Sequence, residues 1–578
     1  MPPGIRLFAE PNVVSLKDAT QQNFAALFDK LPRVRIVINA CMCGMGHQAA
    51  AITLMKRLRD FKYKGHIEIV YVKDRQELIQ DKLGLLIKGF DPEWADYQEL
   101  PGNISVRGVD LLENNIELYQ LPYVPICFAA ATGKNTPHDP VIWNCGAFVT
   151  LRPTNWSCES DEDERIEILG NRQFDILEFD KGALFCDETL LLTNSDYKDE
   201  THKKFFTTLL QKSAHKEVYF QSVYGLYAEY DDAGNSLSNF CDPALEMARI
   251  LNAVRLAQTT YKKPTVILIH SPLLYRTKQE LNQLVKGSDK IRFVEAITQS
   301  TISDLESLNE DQILVCYTGQ LSQDLFKTVI LASNLLPVAE GANTTSFLEA
   351  YRSFLHGGRP TFTRIQLLKI TEQLAWAQAL HLEASAWLED DLPAAAKLVA
   401  SGDDFSPNDR GLAEFILRDL NGELREYFKF RQDEFAKQTD SLATALNNLR
   451  DFPIAQTEME MLPIYLQTIE SKLDDVDFKI KKINGSIERI NPSEHWCALM
   501  IKLMRRMLLI LANNNITNTD SRFQAFKKLC DDIISKTGKI TDLPPKEKST
   551  VIAYMQNILD QLNGLEYRNQ SSANCIIL

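Results

Sequence analysis

The segment from Asp311 to Pro360 restricts the fold of this chain more than any other. Ile313–Tyr317 (ILVCY) is a short apolar run of buried-strand type, and a turn containing Gly319 follows it. Leu325, Val329 and Leu331 mark an amphipathic helix, after which Leu335–Val338 is a second strand-like run. Glu340, Gly341, Ala342, Asn343, Thr344 and Thr345 then form a small, polar turn. That turn opens a helix carrying Ser346 and Glu349, which stops near Gly357 and Gly358. Strand, tight turn and helix start leave unpaired backbone N–H groups and the positive end of a helix dipole facing one spot. That arrangement suits a diphosphate. Glu349, about one turn into the helix, is placed to accept hydrogen bonds from ribose hydroxyls. The alternative is an ordinary βα unit whose helix is capped by a hydroxyl.

A second unit of the same kind opens the chain. Arg33–Asn39 (RVRIVIN) reads as a strand, Gln48–Arg59 as a helix and His66–Val72 (HIEIVYV) as the next strand. Gly44, Gly46 and His47 lie in the first turn, at the carboxyl edge of the predicted sheet. This is not a dinucleotide fingerprint, because the third glycine is missing and no acidic residue closes the second strand. Together the two segments resemble the GT-B glycosyltransferases. In that family the donor loop runs Gly-Gly-x-x-Ser/Thr-x-x-Glu before a helix that ends in Gly-x-Pro. Ser346 and Glu349 fall in register with it, and Gly358, Arg359 and Pro360 close the unit. Ala342 and Asn343 stand where the family has its two glycines, with Gly341 one place early, so the site carries over as a region. The Gly44-x-Gly46-His47 element resembles the family's first N-terminal loop, which lies in the interdomain cleft.

The resemblance implies an α/β fold of two Rossmann-like domains facing a cleft, followed here by an all-α helical domain. The expected boundaries are 1–260 for the acceptor domain, 261–380 for the nucleotide-sugar domain, 381–565 for a helical bundle and 566–578 for a flexible tail. The implied activity is sugar transfer from a nucleotide-diphosphate donor to an unknown acceptor, protein or lipid, without metal or cofactor. Gly319, Glu340, Gly341, Asn343, Thr344, Thr345, Ser346 and Glu349 would hold the donor. Gly44 and Gly46 would line the cleft. His47 is the first candidate for the catalytic base, since imidazole titrates near neutral pH, and Asp139 is the reserve. Two alternatives stand beside this one. A sugar-nucleotide epimerase would act on the donor with no second substrate, and a lipidated scaffold would present its helical domain to a partner.

At 578 residues the chain exceeds what one core can organise. Its 45% apolar and 24% charged residues are ordinary for a globular protein. A net charge of −14 argues against a nucleic-acid partner and against loose docking on an anionic leaflet. The N-terminus shows no charged-then-apolar signal pattern, and Ala498–Ala512, interrupted by Lys502, Arg505 and Arg506, reads as a buried helix. Eleven scattered cysteines form no zinc or disulfide framework and suit a reducing compartment.

Cys575 differs from the rest. Cys575, Ile576, Ile577 and Leu578 match the C-a-a-X prenylation signal, with Leu pointing to geranylgeranyl. Chance matching is the alternative. A prenyl chain, added by a prenyltransferase, would give an acidic protein about 0.8 kcal/mol of membrane affinity per buried CH₂. The expected location is the cytoplasmic face of a eukaryotic membrane, or a host membrane if the protein is a bacterial secreted effector; without the lipid it is cytoplasmic.

Other segments are weaker. Val124–Ala130 and Val141–Trp143 are strand candidates flanking a loop that holds Gly133, Lys134, His138 and Asp139. The loop lacks the upstream glycine and the Ser/Thr of a P-loop. Asp161 and Asp163 sit in a solvated acidic cluster with no apolar strand before it, a surface loop rather than a metal motif. Thr265–Ile269 should open the second domain, and Arg276 could neutralise diphosphate charge. From Phe362 onward helical spacing takes over, as in Leu462, Leu466, Ile469, Leu473, Val476 and Ile480.

Overall fold

Two parallel sheets organise the chain. The computed structural model describes residues 12–38, 46–73, 79–94, 96–109, 121–130, 143–151, 175–179, 183–186, 190–224, 243–270, 290–335, 337–339, 344, 346–348, 350, 362–363, 407–423, 425–473, 492–514, 516, 518–541 and 543–574. The first sheet contains β1 (Arg33–Ile38), β2 (His66–Val72), β3 (Tyr97–Leu100), β4 (Ile104–Val109), β5 (Val124–Ala130), β6 (Cys145–Leu151) and β7 (Asp175–Phe179). Its spatial order is β3-β4-β2-β1-β5-β6-β7, parallel throughout except for β3 at the edge. Leaving β3 aside, this is the doubly wound order, with its reversal between β1 and β5. Alternate residues explain the burial of both faces. Val34, Ile36, Ile67 and Ile69 fill one side, and Val37, Val70, Cys127 and Phe148 the other. A buried ion pair crosses this core. Arg35 donates to Glu68 at 2.8 Å and to the Pro122 carbonyl at 2.7 Å, and it also reaches the Trp143 carbonyl.

The second sheet runs β10-β11-β9-β8-β12-β13, all parallel. Its strands are β8 (Tyr219–Val223), β9 (Thr265–Ile269), β10 (Ile291–Val294), β11 (Ile313–Tyr317), β12 (Val338–Ala339) and β13 (Phe362–Thr363). Here too the faces separate by parity, with Ile267, Ile269, Ile313 and Val315 on one side and Val266, Leu268, Leu314 and Cys316 on the other. The order reverses between β8 and β12.

Helices number α1 (Leu16–Ala19), α2 (Ala25–Phe28), α3 (Gly46–Asp60) and α4 (Ile79–Leu86) around the first sheet. Around the second are α5 (Glu200–Ala214), α6 (Pro243–Tyr261), α7 (Gln299–Ser307) and α8 (Gln323–Ala332). Next in the chain are α9 (Pro407–Asn421), α10 (Arg425–Lys437), α11 (Ser441–Leu449), α12 (Glu458–Lys472), α13 (Pro492–Asn513), α14 (Ser521–Lys539) and α15 (Pro545–Asn574).

Several expectations move. The second sheet begins with β8, and α5 packs into its core, so the expected boundary at residue 260 falls inside the second unit. The strand expected at Val141–Trp143 is instead β6, which starts at Cys145, with Trp143 helical. The helices after residue 400 do not form one bundle. Ala413 and Ile416 of α9 join the core of the second sheet, and Leu442, Leu446 and Leu449 of α11 return to the first. Among the described helices after residue 400, α12 to α15 build a core of their own, where Leu462 and Ile469 are buried and Leu466 and Leu473 half-buried. Helix α13 buries Arg506 and pairs it with Glu458 at 3.5 Å. Tyr567–Asn574, expected to be a loose tail, continue α15. Cys575–Leu578, Val476 and Ile480 lie outside the described residues. No described helix is long and apolar enough to cross a membrane.

Candidate functional site

Each sheet brings helical backbone to the place where its strand order reverses. In the first unit α3 opens at Gly46, at the carboxyl end of β1 and beside β5. Gly46 is exposed, and a Cβ built there would meet nothing within 4 Å, so this glycine leaves an open face at the helix start. His47 is next, half-buried, and Gln48 is fully buried. Gly44 and Asp139 lie outside the described residues, as do His138 and Arg276.

In the second unit β12 ends at Ala339, and helical backbone resumes at Thr344, Ser346, Phe347, Leu348 and Ala350. Thr344 is half-buried and Ser346 buried. Glu340, Gly341, Asn343, Thr345 and Glu349 lie outside the described residues. Thus Thr344 and Ser346 stand on helical backbone beyond β12, next to the β8–β12 reversal, while Gly319 stands at the end of β11, on the other side of β8.

Gly319 belongs to a turn with its own polar architecture. Its φ of +66° is the left-handed region that favours glycine, and a Cβ there would lie 3.4 Å from Lys198 Nζ. That ammonium donates to the Thr318 carbonyl at 3.3 Å. The Thr318 hydroxyl lies 3.0 Å from the Gly319 carbonyl and 3.3 Å from the Ile269 carbonyl, both pure acceptors. Donating to either leaves it to accept from His270 Nδ1, 2.8 Å away. Burial holds the His270 imidazole down to about 3, so it is neutral near pH 7, and its buried Nε2 has no protein hydrogen-bond partner. Phe326 of α8 packs against the ring at 5.5 Å.

The same turn leads into the contact between the two units. Ser322 caps α8 by accepting from Leu325 N at 3.3 Å and donates to Asp196 at 3.0 Å. Lys88, from the first unit, lies 2.9 Å from Asp324 and 3.7 Å from Asp196, and Lys56 of α3 donates to Gln323 at 2.8 Å. Burial pushes the Asp196 carboxyl up, but hydrogen bonds from Thr193 and Ser322 and the Lys88 charge outweigh it and hold it below the usual range. The turn near Thr318 was expected to face the ligand, whereas His270, Lys198 and the Lys88 contacts were not among the residues expected at the site. The available signals were a histidine ending an apolar strand and a Thr-Gly pair ending the next.

No protein-family model and no curated protein sequence matches the chain. Among solved structures, an α,α-trehalose-phosphate synthase (UDP-forming) from Burkholderia vietnamiensis shares 9% identity at a TM-score of 0.35, over 72% of this chain and 98% of that one. UDP-GlcNAc 2-epimerase from Neisseria meningitidis bound to UDP-GlcNAc gives 11% and 0.36, over 72% and 98%. The S. aureus MnaA–UDP complex gives 9% and 0.34, over 72% and 95%.

Proposed function

We propose that this chain is a nucleotide-sugar-dependent enzyme of GT-B type that transfers a sugar to an acceptor hydroxyl. The observation that carries the reading is the pair of largely parallel sheets, each with helical backbone following the strand at its own switch point, where ligands of open α/β sheets bind. In this assignment the donor diphosphate sits on the helix start at Thr344 and Ser346, with Gly319 and the Glu340–Thr345 loop around it. The acceptor sits on the first unit near Gly44, Gly46 and His47. His47 takes the proton from the acceptor hydroxyl, the new bond forms from that oxygen to the anomeric carbon, and the bond to the phosphate oxygen breaks. Negative charge grows on the departing nucleoside diphosphate, where backbone N–H groups of the helix start meet it.

A thermal-shift screen against UDP-, GDP- and dTDP-sugars tests this, with Gly341→Asp as control. A shift with one nucleotide family, lost in the variant, is expected; no shift with any would overturn the assignment. Turnover of the donor without added acceptor would point to an epimerase instead.

We further assign Cys575 as a prenylation site, on its C-a-a-X sequence alone. Expression in eukaryotic cells should place the protein in the membrane pellet and Cys575→Ser in the supernatant. Equal partition of the two would refute lipidation.

A further inference from the structure

The chain passes between the two units where three distant segments meet. Leu184 lies in the first core, and Phe185 packs against the cluster that holds Ile330 and Leu331 of α8, so one crossing falls between them. The return crossing lies between Ile416 of α9, in the second core, and Leu442 of α11, in the first. The two crossings run side by side. Ala183 N donates to the Thr439 carbonyl at 2.7 Å, and Ser441 N donates to the Ala183 carbonyl at 3.1 Å. The opposite edge of the return crossing is taken by the segment 12–16. Asp440 N donates to the Val14 carbonyl and Leu16 N to the Gln438 carbonyl, both at 2.8 Å, while Val14 N donates to the Thr444 hydroxyl at 3.0 Å. Across the seam the order is therefore 12–16, then 438–441, then Ala183.

This seam is firm at one end and thin at the other. Toward the first unit, buried Asp440 caps α11 by accepting from Ala443 N at 2.8 Å and pairs with Arg57 of α3 at 2.6 Å. Toward the second, Leu16, Ala183 and Phe435 form a small buried cluster apart from both main cores, with Phe185 edge-on to Phe435 at 6.0 Å. A segment with few buried apolar contacts opens at lower cost than the cores around it. Any change in the angle between the units must bend both crossings, and both can bend along this one line. We infer that residues 12–16 are a clasp on that hinge, holding the return crossing to the first unit and limiting how far the second unit swings. The inference needs no ligand and is independent of the sugar-transfer reading.

Two substitutions in the full chain loosen the clasp by different routes. Leu16→Pro removes the N–H that bonds Gln438. Proline suits the first position of α1, and Ser15, at φ −75° and ψ 158°, already has the extended backbone that precedes a proline. Thr444→Val keeps the side-chain shape and removes the hydroxyl that Val14 N bonds. In both variants hydrogen exchange should speed up about tenfold at Asp440, Ser441 and Ala183, although Ser441 and Ala183 bond only to each other's segments. The β1 amides should keep their wild-type protection, and small-angle scattering should show a larger radius of gyration. Unchanged exchange at Ser441 and Ala183 would show that 12–16 does not hold the crossings and would overturn the inference. Equal acceleration in β1 would make the segment ordinary support for the fold, which also overturns it. A loosened seam at wild-type radius would mean that these crossings do not set the spacing of the units, and the hinge would fall.

Discussion

At the scale of single residues, the polar groups around β9 and β11 set two expectations. His270 is held neutral by burial at about 3, against about 6.5 in the unfolded chain. Its folded value is depressed, so the unfolded state takes up a proton first as pH falls. Stability is complete above pH 6.5 and declines between 6.5 and 3, by up to about 1.4 kcal/mol per pH unit for this one group. Urea unfolding at pH 7 and pH 5 should therefore show a steeper acid loss in wild type than in His270→Asn. Parallel pH dependence would mean that the imidazole charges in the folded protein. Gly319 is set by backbone geometry instead. Gly319→Ala must hold a Cβ at φ +66°, costing roughly 1–2 kcal/mol. Unchanged stability of that variant would mean the turn can rearrange.

At the scale of elements, polar and small residues fix how helices meet strands, and they also decide what can be read from sequence. A Cβ on Gly146 of β6 would lie 2.5 Å from Tyr123 Oη and 2.9 Å from the Ala455 carbonyl, in the segment leading into α12. Tyr123 already donates to that carbonyl at 2.7 Å. Gly146→Ala should destabilise by about 1–3 kcal/mol through overpacking, and part of that cost should vanish in Tyr123→Phe, where the hydroxyl is gone. A double-mutant cycle in urea measures the coupling, and strict additivity would refute the contact. Arg57 of α3 pairs at 2.6 Å with Asp440, the cap of α11. Burial pushes Asp440 up against the opposing charge of Arg57. Removing the cation alone, as Arg57→Met, should cost about 3–5 kcal/mol, and pairing it with Asp440→Leu should recover much of the loss. Strands β5, β9 and β11 were legible because their residues are apolar on both faces, and β1 and β2 because β-branched residues dominate them despite the buried Arg35–Glu68 pair. Strand β8 was not. Gln221 and Ser222 are buried in it, and Ser222 bonds to Ser333, far along the chain, so a central strand reads as a polar loop. Because β8 is polar, the sequence pattern places the start of the second unit near residue 261. Strand β12 is two residues long and marked mainly by the small, polar turn beyond it. Of the candidate site, the glycine-bearing turns could be read locally, but the His270–Thr318 bond joins two strands and has no local signature.

At the scale of the molecule, the proposed transfer between a donor on one unit and an acceptor on the other would depend on how closely the units approach, since closure excludes water that would hydrolyse the donor. The start of α8 is where the two units touch through side chains. It takes Lys88 and Lys56 from the first unit while its own cap, Ser322, ties it to Asp196. Hydrogen bonding to Asp324 raises the Lys88 amine, with burial opposing and the charges of both acids helping, so the contact stays charged across neutral pH. Lys88 is largely exposed, which makes the pair a weak source of stability and one screened by salt. Its effect should therefore appear in domain spacing rather than in melting temperature. Lys88→Glu places a third carboxylate against Asp196 and Asp324, and small-angle scattering should show a larger radius of gyration with little change in unfolding midpoint. Asp324→Lys in the same chain restores an opposite charge at α8 and should restore the wild-type radius. If the radius of Lys88→Glu equals that of wild type at low salt, closure is held by apolar packing, and the lysine contacts are a consequence of it.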